Sequence, residues 1–94
     1  MKSDAILVNT ARGEIVDQAA LTETLRQRKI LGAGLDVCTP EPLPVDDPLL
    51  QLDNCLVLPH IGSATHETRD AMGYRALDNL DAFFAGKEPK DRVA

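Results

Sequence analysis

Short apolar runs alternate along this chain with stretches whose apolar residues recur at helical spacing. Residues 5 to 9, Ala-Ile-Leu-Val-Asn, are apolar up to a polar end, the pattern of a strand buried on both faces of a parallel sheet. Thr10 to Gly13 interrupt it. Asp17 then offers an N-cap to a helix of about three turns on which Ala20, Leu21, Leu25 and Thr24 recur. Arg26, Arg28 and Lys29 gather at its far end, where cations complement the helix dipole. A second apolar run, Leu31 to Val37, carries Gly32 and Gly34, which implies close packing upon it, and reads as a second buried strand ending in Asp36. Pro40, Pro42, Pro44 and Pro48 follow, predicting a stiff, ordered loop with room for one short turn at Leu49 to Leu52. Asp53-Asn54 make a turn, Cys55 to Leu58 a third short strand, and Pro59 to Gly62 terminate it. From Ser63 or Thr65 a long helix carries Met72, Ala76, Leu77, Leu80, Phe83 and Phe84 on one side, holds all three aromatics, and stops at Gly86.

Strand, helix, strand, crossover, strand, helix is a parallel α/β pattern. Three such strands amount to about half of a doubly wound, Rossmann-type sheet, with the first strand expected to present a bare hydrogen-bonding edge. The 94 residues, 44% hydrophobic and 27% charged, fit one small globular domain at most, too small to enclose a deep ligand cleft by itself. A formal net charge of −5 with no basic stripe argues against nucleic acid and anionic membrane as partners. Cys38 and Cys55 have no second pair, so neither a disulfide framework nor a zinc site is expected, and a reducing cytoplasm is the simplest setting. The acidic start, Met1-Lys2-Ser3-Asp4, does not fit a signal peptide, and no apolar run reaches the length of a membrane span.

In an open parallel sheet, ligands bind outside the carboxyl ends of the strands, and the reactive side chains concentrate there. The first strand is followed by Asn9, Thr10 and Arg12, the second by Asp36 and Glu41, and the third by His60, Gly62 and Ser63. Charged groups beside buried strands are costly unless paired or employed. Arg12 offers a planar fork suited to a carboxylate, or merely neutralises Glu14. His60 is a candidate for proton exchange, with Glu41 the better-placed carboxylate to fix its tautomer; the alternative is a satisfied core histidine. Asp36 either accepts a hydrogen bond from a ligand amide or caps the strand end. His66 does not share a face with His60, so no metal pair is expected and His66 reads as solvated. A Ser63, His60 and acid triad lacks the G-x-S-x-G elbow of a hydrolase.

Leu-Val-Asn-Thr-Ala-Arg-Gly (7 to 13), Gly-Leu-Asp-Val (34 to 37), Pro-Glu-Pro (40 to 42) and Pro-His-Ile-Gly-Ser-Ala-Thr (59 to 65) together resemble the D-isomer-specific 2-hydroxyacid dehydrogenases. The run from Leu35 to Pro44, with Pro-Leu-Leu and Asn-Cys behind it, looks most like the glyoxylate and hydroxypyruvate reductase branch. The resemblance implies that residues 1–94 are part of a dinucleotide-binding domain, its C-terminal half, with the glycine-rich turn and the substrate domain lying outside this sequence. It implies NAD or NADP as cofactor, a small 2-oxo acid or 2-hydroxy acid as substrate, and a homodimer for the whole protein. It further implies that Arg12 holds the substrate carboxylate, that His60 is the proton donor and that Glu41 pairs with it. By the same likeness Asp36 meets the nicotinamide carboxamide, while Thr10, Ala11, Arg12, His60 and Gly62 lie along the cofactor. Two alternatives of another kind are a noncatalytic nucleotide-sensing module, since the fold also resembles C-terminal binding protein corepressors, and a half-domain with no activity of its own.

Overall fold

The structure, a computed structural model, describes all 94 residues. They divide into two units, residues 1–62 and residues 63–94. In the first, β1 (Ile6–Asn9), α1 (Gln18–Arg26), β2 (Gly32–Leu35) and β3 (Cys55–Val57) follow one another, with single 3-10 turns at Gly13–Ile15 and Pro48–Gln51. The three strands form one parallel sheet in the order β1-β2-β3. Ile6 pairs with Gly32, Val8 with Gly34 and Gly34 with Leu56, so these residues share one face; Leu7, Ala33, Leu35, Cys55 and Val57 share the other.

That second face carries the core. Leu21 and Leu25 of α1 pack with Ile30, Ala33, Leu35, Cys38 and Leu49, and Leu7, Val16, Leu52, Cys55 and Val57 close around them. Leu25 and Leu49 are fully buried. The other face is apolar and open, with Ile6, Val8, Leu56 and Leu58 all exposed. Asp17 caps α1 through its side chain, which accepts from the Ala20 amide at 2.9 Å. At the far end Arg28 adopts a left-handed backbone (φ 50°), which lets Lys29 N–H reach the Thr24 carbonyl and close the helix. The Arg28 guanidinium then makes two 2.9 Å bonds to Asp53 at the turn before β3.

The strands are shorter than the apolar runs. The second run spans Leu31 to Val37, but only Gly32–Leu35 form a strand, because β1 supplies just four partners. Beyond them one bond at each end, from the Leu31 amide to the Ala5 carbonyl and from the Asp36 amide to the Asn9 carbonyl, both at 2.9 Å, carries the β1–β2 ladder on. Ala20, expected on the packed side of α1, is exposed, because the buried stripe of this short helix is only as wide as Leu21 and Leu25.

Gly13 fixes how the loops after β1 and β2 meet. A Cβ built there would lie 2.2 Å from the Cys38 carbonyl oxygen, so backbone rests directly on backbone. Gly13→Ala should force the two loops apart and cost about 1–3 kcal/mol, as overpacking does elsewhere. Urea unfolding measures it; an unchanged midpoint would contradict the tight contact.

In the second unit Thr65 caps α2 (His66–Phe84), accepting from the Thr68 amide at 3.2 Å. Gly86 ends it with φ 68°, and Lys87 N–H bonds the Ala82 carbonyl at 2.8 Å. The residues after the helix are tied back by Asp91, which receives Arg75 Nε at 2.5 Å and Nη2 at 2.7 Å, and Asn79 Nδ2 at 2.7 Å. These bonds, Arg75 first, hold the Asp91 carboxyl down to about 2. Their contribution is present above the ordinary aspartate range and is lost as pH falls toward that value. Leu77, Leu80 and Phe83, expected as an apolar side, form one, but it is exposed along its length. No helix is long and apolar enough to cross a membrane.

Candidate active site

The carboxyl ends of the three parallel strands lie on one edge, and the side chains singled out from the sequence are positioned there by short loops. Asn9, the buried last residue of β1, shapes the first loop. Its Nδ2 donates to the Arg12 carbonyl at 2.8 Å and its Oδ1 accepts from the Ala11 amide at 3.1 Å. Thr10, Ala11 and Arg12 are thereby held in an exposed turn. Arg12 Nη1 donates to the Ala11 carbonyl at 2.6 Å, and the guanidinium makes no ion pair with Glu14. One of its five N–H groups is accounted for, which leaves the fork available at the edge.

Asp36 is 6% exposed and has a structural employment. Its Oδ1 accepts from the Ile61 amide at 2.8 Å and its Oδ2 from the Gly62 amide at 2.7 Å, so the end of β2 holds the loop after β3. A Cβ on Gly62 would come within 2.9 Å of Asp36 Oδ2, and the close grip therefore requires glycine.

Glu41 and His60 meet. Glu41 Oε2 lies 2.8 Å from His60 Nδ1, while Glu41 Oε1 accepts from the Cys38 amide at 3.0 Å. The hydrogen bond from His60, then that from Cys38, with the charge of Arg12 adding to them, holds the Glu41 carboxyl below the usual carboxylate range. Glu41 is thus an anion at neutral pH and can only accept, which assigns the Nδ1 proton to His60 and leaves Nε2 for chemistry. His60 itself has φ 55°, a left-handed backbone uncommon outside glycine, and such conformations persist where the surroundings hold them. Here the Asp36 grip on the next two amides and the Glu41 bond to the ring do so. A cavity of about 470 Å³ adjoins the pair, lined by Asp36, Glu41 and His60 together with Leu43, Leu50 and Leu58. Its lining is thus part charged and part apolar.

The sequence pattern did not single out Gln18, the first residue of α1. Its side-chain amide makes two bonds to one residue of the loop after β2, donating to the Thr39 carbonyl at 2.8 Å and accepting from the Thr39 amide at 2.9 Å. A polar residue after an N-cap gives no sign of a partner 21 positions away. Cys38 and Cys55 are free thiols, and burial pushes both up, which suits packing rather than nucleophilic attack.

Residues 1–62 match the family model described as D-isomer specific 2-hydroxyacid dehydrogenase, NAD binding domain. Over 93 residues the chain is 60% identical to glyoxylate/hydroxypyruvate reductase B of Pectobacterium carotovorum, covering 99% of this chain and 29% of that protein. The glyoxylate reductase/hydroxypyruvate reductase of Homo sapiens is 52% identical over 87 residues, 93% of this chain and 26% of that protein. Among solved structures, an NADPH-dependent glyoxylate/hydroxypyruvate reductase from Sinorhizobium meliloti in complex with NADP and malonate superposes with a TM-score of 0.88 at 43% identity, over 98% of this chain and 28% of that one. The chain spans less than a third of the length of each of these relatives.

Proposed function

This chain belongs to the D-isomer specific 2-hydroxyacid dehydrogenases, within their NAD-binding domain, and from that membership we propose that it forms the catalytic edge of an NADPH- or NADH-dependent reductase of a small 2-oxo acid, glyoxylate or hydroxypyruvate. The observation that carries the reading is the 2.8 Å bond between Glu41 and His60 Nδ1, on the same edge as the Arg12 fork. In this reading the whole of residues 1–94 is part of the dinucleotide-binding domain, and the working enzyme is a homodimer in a reducing cytoplasm.

The residues present fit a nicotinamide. The Asp36 oxygens each accept one backbone bond and keep acceptor capacity for a carboxamide N–H, and Gly62 leaves no side chain over that carboxylate. Thr10, Ala11, Arg12 and His60 border the same edge. The bound nicotinamide supplies the hydride. Arg12 grips the carboxylate of the 2-oxo acid and so orients its carbonyl. His60, doubly protonated, gives the Nε2 proton to the carbonyl oxygen as that oxygen gains charge, and is left neutral with Nδ1–H still on Glu41. Glu41 transfers no proton; it orients the ring and stabilises the imidazolium, as a carboxylate does behind other catalytic histidines.

The direct test replaces the matching stretch of the Pectobacterium carotovorum enzyme with this chain. The chimera should oxidise NADPH or NADH on addition of glyoxylate or hydroxypyruvate. A folded chimera that binds NADPH and reduces neither would sink the proposal. Within that chimera, Glu41→Gln removes the anion that stabilises the protonated ring. Reduction needs that protonated form and falls as pH rises, so the alkaline limb of kcat/KM should move to lower pH. The oxidation direction, which needs the neutral ring, should extend to lower pH as well. Superimposable pH profiles in both enzymes would refute the pairing.

A further inference from the structure

Glu41 stands in a loop of prolines, and a proline-rich loop by itself does not hold a carboxylate to the accuracy that a 2.8 Å bond to His60 needs. What holds it is traceable bond by bond. Glu41 Oε1 accepts from the Cys38 amide at 3.0 Å, and the next residue along, Thr39, is gripped on both its N–H and its C=O by the Gln18 side chain, at 2.9 and 2.8 Å. Gln18 is the first residue of α1, and Leu21 and Leu25 one and two turns later are buried in the core. On the other side, Gly13 rests against the Cys38 carbonyl and the Thr39 side chain. The Gln18 amide is therefore the side-chain tie, beside the buried Cys38 and the Gly13 contact, by which the rigid part of the fold reaches Glu41.

We infer that Gln18 is a positioning residue for the Glu41–His60 pair: its amide fixes the Cys38–Thr39 backbone, which aims the Glu41 carboxylate at His60 Nδ1. The inference rests on the reductase reading of the site and adds to it a residue that touches neither substrate nor cofactor. The chemistry is specific to an amide. Both a donor and an acceptor are used, so a carboxylate in place of Gln18 keeps the bond from the Thr39 amide but sets an anion against the Thr39 carbonyl. Glutamate there is a nearly isosteric replacement that breaks half of the clamp. Alanine breaks all of it.

The test uses the chimera described above, with Gln18→Ala, Gln18→Glu, Glu41→Gln and the Gln18→Ala/Glu41→Gln double variant. Gln18→Ala should lower kcat for reduction about ten-fold, leave the KM for NADPH unchanged, and move the alkaline limb in the same direction as Glu41→Gln; Gln18→Glu should fall between wild type and Gln18→Ala. In the double variant the loss should be no greater than in Glu41→Gln alone, since a clamp with nothing to aim has no further effect. Multiplying losses, or a pH profile unchanged in Gln18→Ala, would overturn the inference. The ring nitrogens of His60, followed by proton–nitrogen correlation spectra at high pH, give a readout independent of turnover. Wild type should show the Nδ1–H tautomer and Gln18→Ala a mixture with Nε2–H. If the chimera reduces no 2-oxo acid, the functional reading fails by itself, and the tautomer measurement still decides the clamp. An identical tautomer balance in both proteins would overturn it.

Discussion

In the chimera proposed above as a glyoxylate reductase, replacing His60 with asparagine should reduce kcat/KM for glyoxylate by a factor of about 10² to 10⁴, the range that a positioned general acid supplies. Asparagine is the informative substitution. The backbone at His60 is left-handed at φ 55°, and asparagine tolerates that region better than most residues. The loss then reports the proton donor rather than a collapsed loop. The Asp36 bonds to the Ile61 and Gly62 amides do not involve the ring and should persist, keeping the loop in place. Two measurements frame the result: steady-state reduction across the pH range, where the alkaline limb attributed to His60 should vanish, and fluorescence titration with NADPH, where affinity should change far less than rate. A variant within a few-fold of wild type would remove His60 from the role of proton donor.

Arg12→Lys should cost on the order of 10² in kcat/KM, about 2–3 kcal/mol, chiefly through a raised KM for the 2-oxo acid. The charge is kept and the fork is lost. A lysine reaches a carboxylate with a point charge and no fixed plane, so the carbonyl is held less well for the incoming hydride as well as bound less tightly. The structure makes the comparison clean, because Arg12 spends a single N–H on the Ala11 carbonyl and the turn around it is braced by Asn9, whose bonds go to backbone groups that any residue at position 12 provides. Lysine should therefore leave the turn intact. Steady-state kinetics with glyoxylate and with hydroxypyruvate decide it, and unchanged constants for both substrates would withdraw Arg12 from substrate binding.

Much of this architecture is legible in the residues, and the parts that are not share a physical cause. Strand β1, the Asp17 cap of α1, the proline-rich loop with its single turn at Pro48–Gln51, and the termination of α2 before Gly86 are all local matters of patterning and backbone preference. The meeting of Glu41 and His60 was foreseeable because strand ends in a parallel sheet converge, which narrows the partners even 19 positions apart. The length of β2 was not, since a strand ends where its neighbour's hydrogen bonds end, and no pattern within Leu31 to Val37 records that β1 offers four residues. Nor was the left-handed backbone of His60, which surrounding contacts impose on a residue that does not ask for it. Gln18 escaped for a similar reason: its amide looks like any solvated side chain until the Thr39 peptide is brought to it. Periodicity on α2 correctly marked a shared apolar side, but periodicity names a face and not what covers it.

The sheet in residues 1–62 is a laminate finished on one side. Helix α1 seals the face of Leu7, Ala33, Leu35 and Val57, while Ile6, Val8, Leu56 and Leu58 remain 61%, 69%, 62% and 40% exposed. Beside an edge strand with unpaired backbone, such a patch is what chaperones and quality-control proteases read as unfinished protein. Proteostasis thus becomes coupled to assembly. A chain that leaves this face open would be held or degraded, whereas one in which it is covered would escape notice. Cellular abundance of substitutions on this face should accordingly follow how well they let it be covered, and a polar residue at Val8 or Leu56 should change the amount of protein without disturbing the strand-end loops of the molecules that remain.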